Sequence, residues 1–191
     1  MKHNPSGPSL VPDRSAARSL IANSTEKLQQ TGYGRYLVSL KPQVSDEKEN
    51  GEDSSFLEPE HDLIGYVSCQ FQRHAATPGP LIPDIGFNFL EEYHGRGYAK
   101  EAVEGLMIYF REKGTKAFAA MTDDENVDAK RLLARLGFRD WGVRRVAGVV
   151  NGGQEEELSV WTVGVEDEGE LEEKAFGKGV KGGSGSLAEK K

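Results

Sequence analysis

Two glycines at the start of a helical pattern are the most chemically suggestive feature of this chain. The run Glu91-Glu92-Tyr93-His94-Gly95-Arg96-Gly97-Tyr98-Ala99 joins a strand pattern ending near Leu90 to the clearest helix pattern in the sequence. Glycine lets a backbone turn tightly and approach a ligand with no Cβ in the way. The first-turn amides of a helix lack intrahelical partners, and the positive end of the helix dipole lies behind them. Such a junction can take a phosphate group. Arg96 can add a charge-assisted contact. A Rossmann fingerprint would need a third glycine where Lys100 stands, and a Walker loop would need Gly-Lys followed by Ser or Thr. Neither is met. A tight strand-to-helix turn with no ligand explains an isolated Gly-x-Gly equally well.

The elements that must position this junction alternate. Residues 13–30 read as a helix with Ala17, Leu20, Ile21 and Leu28 near one face, stopped at Gly32. Tyr36 to Lys41 and Leu63 to Gln72 read as strands. The Ala76-Thr77-Pro78-Gly79-Pro80 turn leads into a third strand, Ile82 to Leu90. That strand puts Ile85, Phe87 and Phe89 on one face and Asp84, Gly86 and Asn88 on the other. The hairpin makes the pair antiparallel. Tyr98 to Lys113 is a helix, with Ala99, Ala102, Val103, Leu106, Met107 and Phe110 on its apolar stripe and Gly114 at its end. Lys116 to Thr122 is a strand. Asp124 or Asn126 then caps a helix whose stripe is Ala129, Leu132, Leu133 and Leu136, stopped by Gly137. Phe138 to Val146 and Glu157 to Val163 are two last strands around Asn151-Gly152-Gly153, and Trp141 and Trp161 on them are expected to pack together or line an acceptor side. The order predicts one α/β (α+β) domain with a central mixed sheet.

Charge is uneven. The chain has 191 residues, 31 acidic and 24 basic, for a formal net charge of −7. Residues 45–62 hold 8 acids and 1 base, a net of −7, and read as a solvated loop inserted in the domain. Residues 164–191 carry a net of −2 and read as a flexible C-terminal tail, while residues 1–12 read as a disordered N-terminus. The rest of the chain, outside these two acidic segments, comes to +2. The lone Cys69 excludes an internal disulfide and a cysteine-rich metal site. It falls mid-strand, where a small buried apolar role is expected. His61 and His74 form no metal spacing with it. No run of 18 apolar residues occurs, so no membrane span is expected. The N-terminus has no apolar signal region, and a cytoplasmic location is expected. The overall acidity disfavours nucleic acid as a partner.

The run His94-Gly95-Arg96-Gly97-Tyr98-Ala99-Lys100-Glu101-Ala102 resembles the pyrophosphate-binding segment of GNAT superfamily acetyltransferases. That pattern is Gln or Arg, two residues, Gly, one residue, then Gly or Ala. Here His94, Gly97 and Ala99 take its three positions. Gly-Arg-Gly-Tyr-Ala-Lys-Glu-Ala is similar to the branch that includes ribosomal-protein N-terminal acetyltransferases. So is the later stretch from Asn126 through a helix to Leu136-Gly137-Phe138. Ile64-Gly65-Tyr66 and Asp84-Ile85-Gly86-Phe87 resemble that branch's two preceding strands. The resemblance covers roughly residues 33–163. Two positions depart from it. His94 replaces the Gln or Arg, and Ala129 replaces the usual Ser three residues after the Asn. Residues 1–12 also show no pattern for the strand with which the family opens.

The resemblance implies a mostly antiparallel central sheet whose one parallel strand pair splays apart, with flanking helices. It implies acetyl-CoA as co-substrate and no metal. Leu90, His94, Gly95, Arg96, Gly97, Tyr98 and Ala99 would hold the cofactor, with Asn126 touching it from the second helix. Acetyl would pass directly to a primary amine of a small molecule, peptide or protein N-terminus. Asp84 is the first candidate for the base, on the strand lining the cleft. Asn88 shares its face and can orient substrate or water. Partners are then an amine acceptor, no nucleic acid and no membrane, with the chain a monomer or homodimer. The alternative is a catalytically weak acyl-CoA-binding regulatory or scaffold module.

Overall fold

A computed structural model describes residues 13–41, 62–73, 77, 79–150 and 153–176. The expected disordered N-terminus over 1–12, all but the last residue of the acidic loop, and residues 177–191 lie outside the described residues. The elements follow in the order α1 (Arg14–Thr31), β1 (Gly34–Ser39), β2 (Leu63–Gln70), β3 (Asp84–Phe89), a 3-10 turn (Glu91–Tyr93), α2 (Tyr98–Glu112), β4 (Phe118–Thr122), α3 (Val127–Arg135), β5 (Arg139–Val146) and β6 (Glu156–Val163). A short helix α4 (Glu168–Glu170) then runs on as a π-helical turn over Leu171–Phe176.

The strands form one sheet in the order β1-β2-β3-β4-β6-β5. Every neighbouring pair is antiparallel except β3 with β4. This is the mixed, mostly antiparallel α/β sheet expected. Strand ends differ for local reasons. β2 stops at Gln70 because Gln72 sits at φ 47°, outside the extended region. β3 starts at Asp84 because Pro83 has no N–H to give the ladder.

The core has two parts, one on each sheet face. Val103, Leu106, Met107 and Phe110 of α2 and Leu133 of α3 pack on Ile85, Phe89, Phe118, Ala120 and Trp161. On the other face, over β4 and β6, Ala119 and Val160 meet Val149, Leu171 and Ala175. The two tryptophans are therefore separated. Trp161 belongs to the helix-covered core, and Trp141 packs with the second cluster and donates to Thr162 Oγ1 at 2.7 Å.

Two expectations about packing change. Ile21, placed on the buried stripe of α1, is 64% exposed. The helix is held by its ends instead. Asp13 caps it by accepting from the Ala16 amide at 2.8 Å, Gly32 closes it onto Leu28, and Lys27 donates to the carbonyls of Phe71 and Gln72. The stretch after Val163 is not all tail. Asp167 caps the short helix, Arg144 pairs with Glu168 at 2.6 Å, and the Leu81 amide donates to the Ala175 carbonyl at 2.8 Å. Leu171 and Ala175 are fully buried. Their i, i+4 spacing puts them on one side of the turn, with the acids on the wet side.

Leu171→Ala should therefore behave as a core truncation, costing about 2–5 kcal/mol. Urea unfolding followed by tryptophan fluorescence should show the midpoint fall. An unchanged midpoint would remove this segment from the folded unit.

Candidate functional site

The parallel partners β3 and β4 share a single registered pair, Asp84 with Ala119. The Ala119 amide donates to the Pro83 carbonyl at 2.9 Å, and there the ladder ends. Each strand continues, β3 to Phe89 and β4 to Thr122, held by its outer neighbour alone. The strands splay into a V with its closed end at Asp84. Backbone groups alternate sides along a strand. Pro83 faces β4, so the backbone groups of Ile85, Phe87 and Phe89 face the opening. The Phe89 carbonyl is taken, because His94 donates to it from Nε2 at 2.9 Å. The register pairs the Ile85 amide with the Ala119 carbonyl, so the Ile85 carbonyl and both backbone groups of Phe87 are left to pair with a ligand's own amides.

The open end of the V leads into the glycine junction. Gly95 and Gly97 lie at φ 73° and 89°, in the left-handed region that a side chain disfavours. Gly97 caps α2 without a side-chain bond, and the first helical bond is Glu101 N–H to the Gly97 carbonyl at 3.1 Å. The amides of Tyr98, Ala99 and Lys100 are thus left without intrahelical acceptors. Around them, Arg96 lies over the Tyr93 ring at 5.6 Å, and Tyr93 contacts Tyr98. Leu90 is half exposed, and its amide is bonded to the Ile64 carbonyl. Asn126 follows the end of β4 at the same end of the sheet. Its Oδ1 caps α3 through the Ala129 amide at 3.1 Å, which leaves its Nδ2 available. An extended chain of amides ending in a phosphate fits this combination of free strand edge and free helix amides.

The closed end is built differently. Asp84 is buried, and both of its oxygens are taken by Arg73, from Nε at 3.1 Å and from Nη2. Arg73 also donates from Nη1 to the Val149 carbonyl at 2.9 Å, tying the β2–β3 loop to the β5–β6 loop. Burial, with Arg35 close by, lowers the Arg73 guanidinium to about 10. For Asp84 to take a proton, this ion pair would have to break. Asn88 lies on the same face, exposed, beside Tyr66 in the register. Cys69 is fully buried, and burial pushes its thiol up to about 12. Arg73 carried no signal in the sequence, because its partner Val149 lies 76 residues away.

A family model described as an acetyltransferase (GNAT) domain matches residues 1–139. The chain belongs to this acetyltransferase family. It is 30% identical over 87 residues to the uncharacterized N-acetyltransferase YnaD of Bacillus subtilis (strain 168), across 45% of this chain and 48% of that protein. The chain spans about half the length of the curated relatives it matches. Among solved structures it resembles the acetyltransferase of Salmonella typhimurium that modifies the N-terminal serine of ribosomal protein L7/L12. There the TM-score is 0.55 at 16% identity, covering 79% of this chain and 74% of that one. It also resembles the microcin C7 self-immunity acetyltransferase MccE in complex with acetyl-CoA and AMP. That match has a TM-score of 0.54 at 17% identity, covering 79% and 71%. At this identity the likeness is one of fold. Among the described residues, no helix is long and apolar enough to cross a membrane.

Removing one member of the closed-end ion pair should be costly. Arg73→Met leaves a buried carboxylate unpaired and should destabilise by about 3 kcal/mol. Arg73→Met combined with Asp84→Leu should recover most of that loss in denaturant titrations. If the double variant is no better than the single, the pair is not the anchor described.

Proposed function

We propose that this chain is an N-acetyltransferase that moves acetyl from acetyl-CoA directly to a primary amine. The observation that carries this reading is the V between β3 and β4, with free strand-edge groups along one arm and uncapped helix amides at its mouth. In this reading Ile85 and Phe87 pair with the cofactor's pantetheine amides. Gly95, Arg96, Gly97, Tyr98 and Ala99 hold its pyrophosphate, His94 and Leu90 fix the strand end beneath, and Asn126 reaches it from α3. The cofactor supplies a thioester carbonyl as the acetyl donor. Acetyl leaves sulfur for nitrogen as the C–S bond breaks and a C–N bond forms. The amine's proton passes to solvent, and the released thiolate is protonated from it.

Asp84 is the acid nearest the closed end, and the sequence makes it the first candidate for the base. Its bonds to Arg73 favour a positioning role. It fixes the apex of the V against which the acetyl group is held, and the chain gains rate mainly by orientation. Asn88, exposed on the same face, is the polar group free to orient water or the entering amine. The commitment of Asp84 also favours a second reading, an acyl-CoA-binding module with weak turnover. The acceptor in either case is an amine of a small molecule, peptide or protein.

Calorimetry with CoA and a thiol-release assay over a panel of amines test both readings. Binding with thiol release supports the enzyme, and binding without release supports the module. No binding at any workable concentration rejects both. Gly97→Trp should abolish CoA binding while the far-ultraviolet circular dichroism stays native. An unchanged affinity would move the pyrophosphate site elsewhere.

A further inference from the structure

The sheet face that carries Asp84 has a charge pattern the transfer reaction does not require. Register places Arg35 of β1 beside Ser68 of β2, and Ser68 beside Gly86 of β3, just past the closed end of the V. The next row is Leu37, Tyr66 and Asn88. Neighbouring strands are about 4.8 Å apart, so the Arg35 backbone lies about 10 Å from Gly86. An extended arginine spans most of that gap. Its guanidinium lies over the Tyr66 ring at 5.9 Å. It is also close enough to Arg73 for the two charges to repel, which is one cause of the lowered Arg73 value.

Charges on this part of the face do not balance. Among the described residues of β1, β2 and β3, Asp84 is the carboxylate facing this side, and Arg73 holds both of its oxygens. Ser68, Gln70, Tyr66 and Asn88 carry no charge. Arg35 is exposed, and among the described residues no carboxylate pairs with it. Lys27 adds a further positive charge close by, bonded to the carbonyls of Phe71 and Gln72 next to Arg73. Two guanidinium groups near one another favour an anion between or beside them. Arginine takes carboxylate or phosphate oxygens in pairs. The aromatic ring beneath Arg35 holds its plane while leaving its edge to a ligand.

We propose that Arg35, held on Tyr66 and next to the Arg73–Asp84 pair, binds an anionic group of the acceptor, so the preferred amine carries a carboxylate or phosphate close to its nitrogen. This rests on the acetyl-transfer reading and narrows its substrate class.

The test compares matched amines on the full chain in the thiol-release assay. Glycine, β-alanine and 4-aminobutyrate are set against their amides, and phosphoethanolamine against ethanolamine. The anionic member should be favoured by about tenfold or more in kcat/KM, the size of a hydrogen bond to a charged group. Whether the carboxylates or the phosphate lead identifies the source of the anion. Arg35→Ala should bring the acid-to-amide ratio close to one, and Arg35→Lys, which keeps the charge but not the paired contact, should retain only part of it. A purely structural role for Arg35 would lower both members of a pair together and leave the ratio unchanged, which would overturn the assignment. CoA binding without a preference for any anionic amine would overturn this inference alone. Failure to bind CoA would overturn the acetyl-transfer reading itself.

Discussion

The interruption of the β3–β4 ladder after one registered pair is the constraint on which the site depends. A parallel pair that opens inside a sheet leaves backbone groups without partners, and buried groups of that kind are costly. The sheet tolerates it because each arm has a complete ladder on its other side. β3 pairs with β2 from Asp84 to Phe89, and β4 pairs with β6 from Phe118 to Thr122. Helix α2 then covers one face of the opening with Val103, Leu106 and Phe110. Unpaired polar edges are left on Ile85 and Phe87 where an amide-bearing chain can complete them. In the function proposed, ligand binding completes the sheet, and the helix amides at 98–100 receive the ligand's anionic end.

A V needs a fixed apex, and the Arg73–Asp84 pair supplies it. Hydrophobic packing alone would leave β3 free to slide against β4, since a single registered residue pair joins them. The guanidinium joins three pieces of chain at that point: its own loop, the start of β3, and the Val149 carbonyl. Buried ion pairs seldom add net stability over apolar replacements. Their use is to define one arrangement among several, and here the defined quantity is where the strands part. That role competes with proton transfer. A carboxylate cannot both anchor the apex and exchange protons with the acceptor at each turnover without loosening the structure that aligns the substrate.

Much of the fold was legible because its signals are local. The stripe of α2, the alternation of β3, the cap at Asn126 and the stop at Gly137 each need only a few neighbouring residues. The glycine junction was legible for the same reason. What escaped depends on distance. Arg73 meets Val149 across the fold, and nothing near Arg73 indicates it. Leu171 and Ala175 sit in an acidic run whose composition reads as solvated tail, so two buried side chains were outweighed by six acids between Glu166 and Glu173. Ile21 shows the opposite error. Its helical spacing suggests burial, but α1 is fastened through its caps and Lys27, and periodicity alone does not supply a surface to pack on. For Asp84 the face could be read in the sequence, but its partner Arg73 could not.

Net charge follows the same division between local and global. The acidic loop joins the sheet at the end of β1, where the Leu40 amide bonds to the Asp62 carbonyl. Arg35 stands at the other end of that strand, about 17 Å away at 3.4 Å per residue. Charges farther apart than about 8 Å are largely screened at physiological salt. An overall charge of −7 therefore need not describe what an entering amine meets. The side chains within a screening length of the apex set that field, and there two guanidinium groups face one carboxylate. An ordinary cationic amine is repelled by such a surface unless it brings its own negative group. If Arg35 binds the acceptor as proposed, the cluster that fixes the apex also sets the acceptor's charge, which ties selectivity to the geometry of the V.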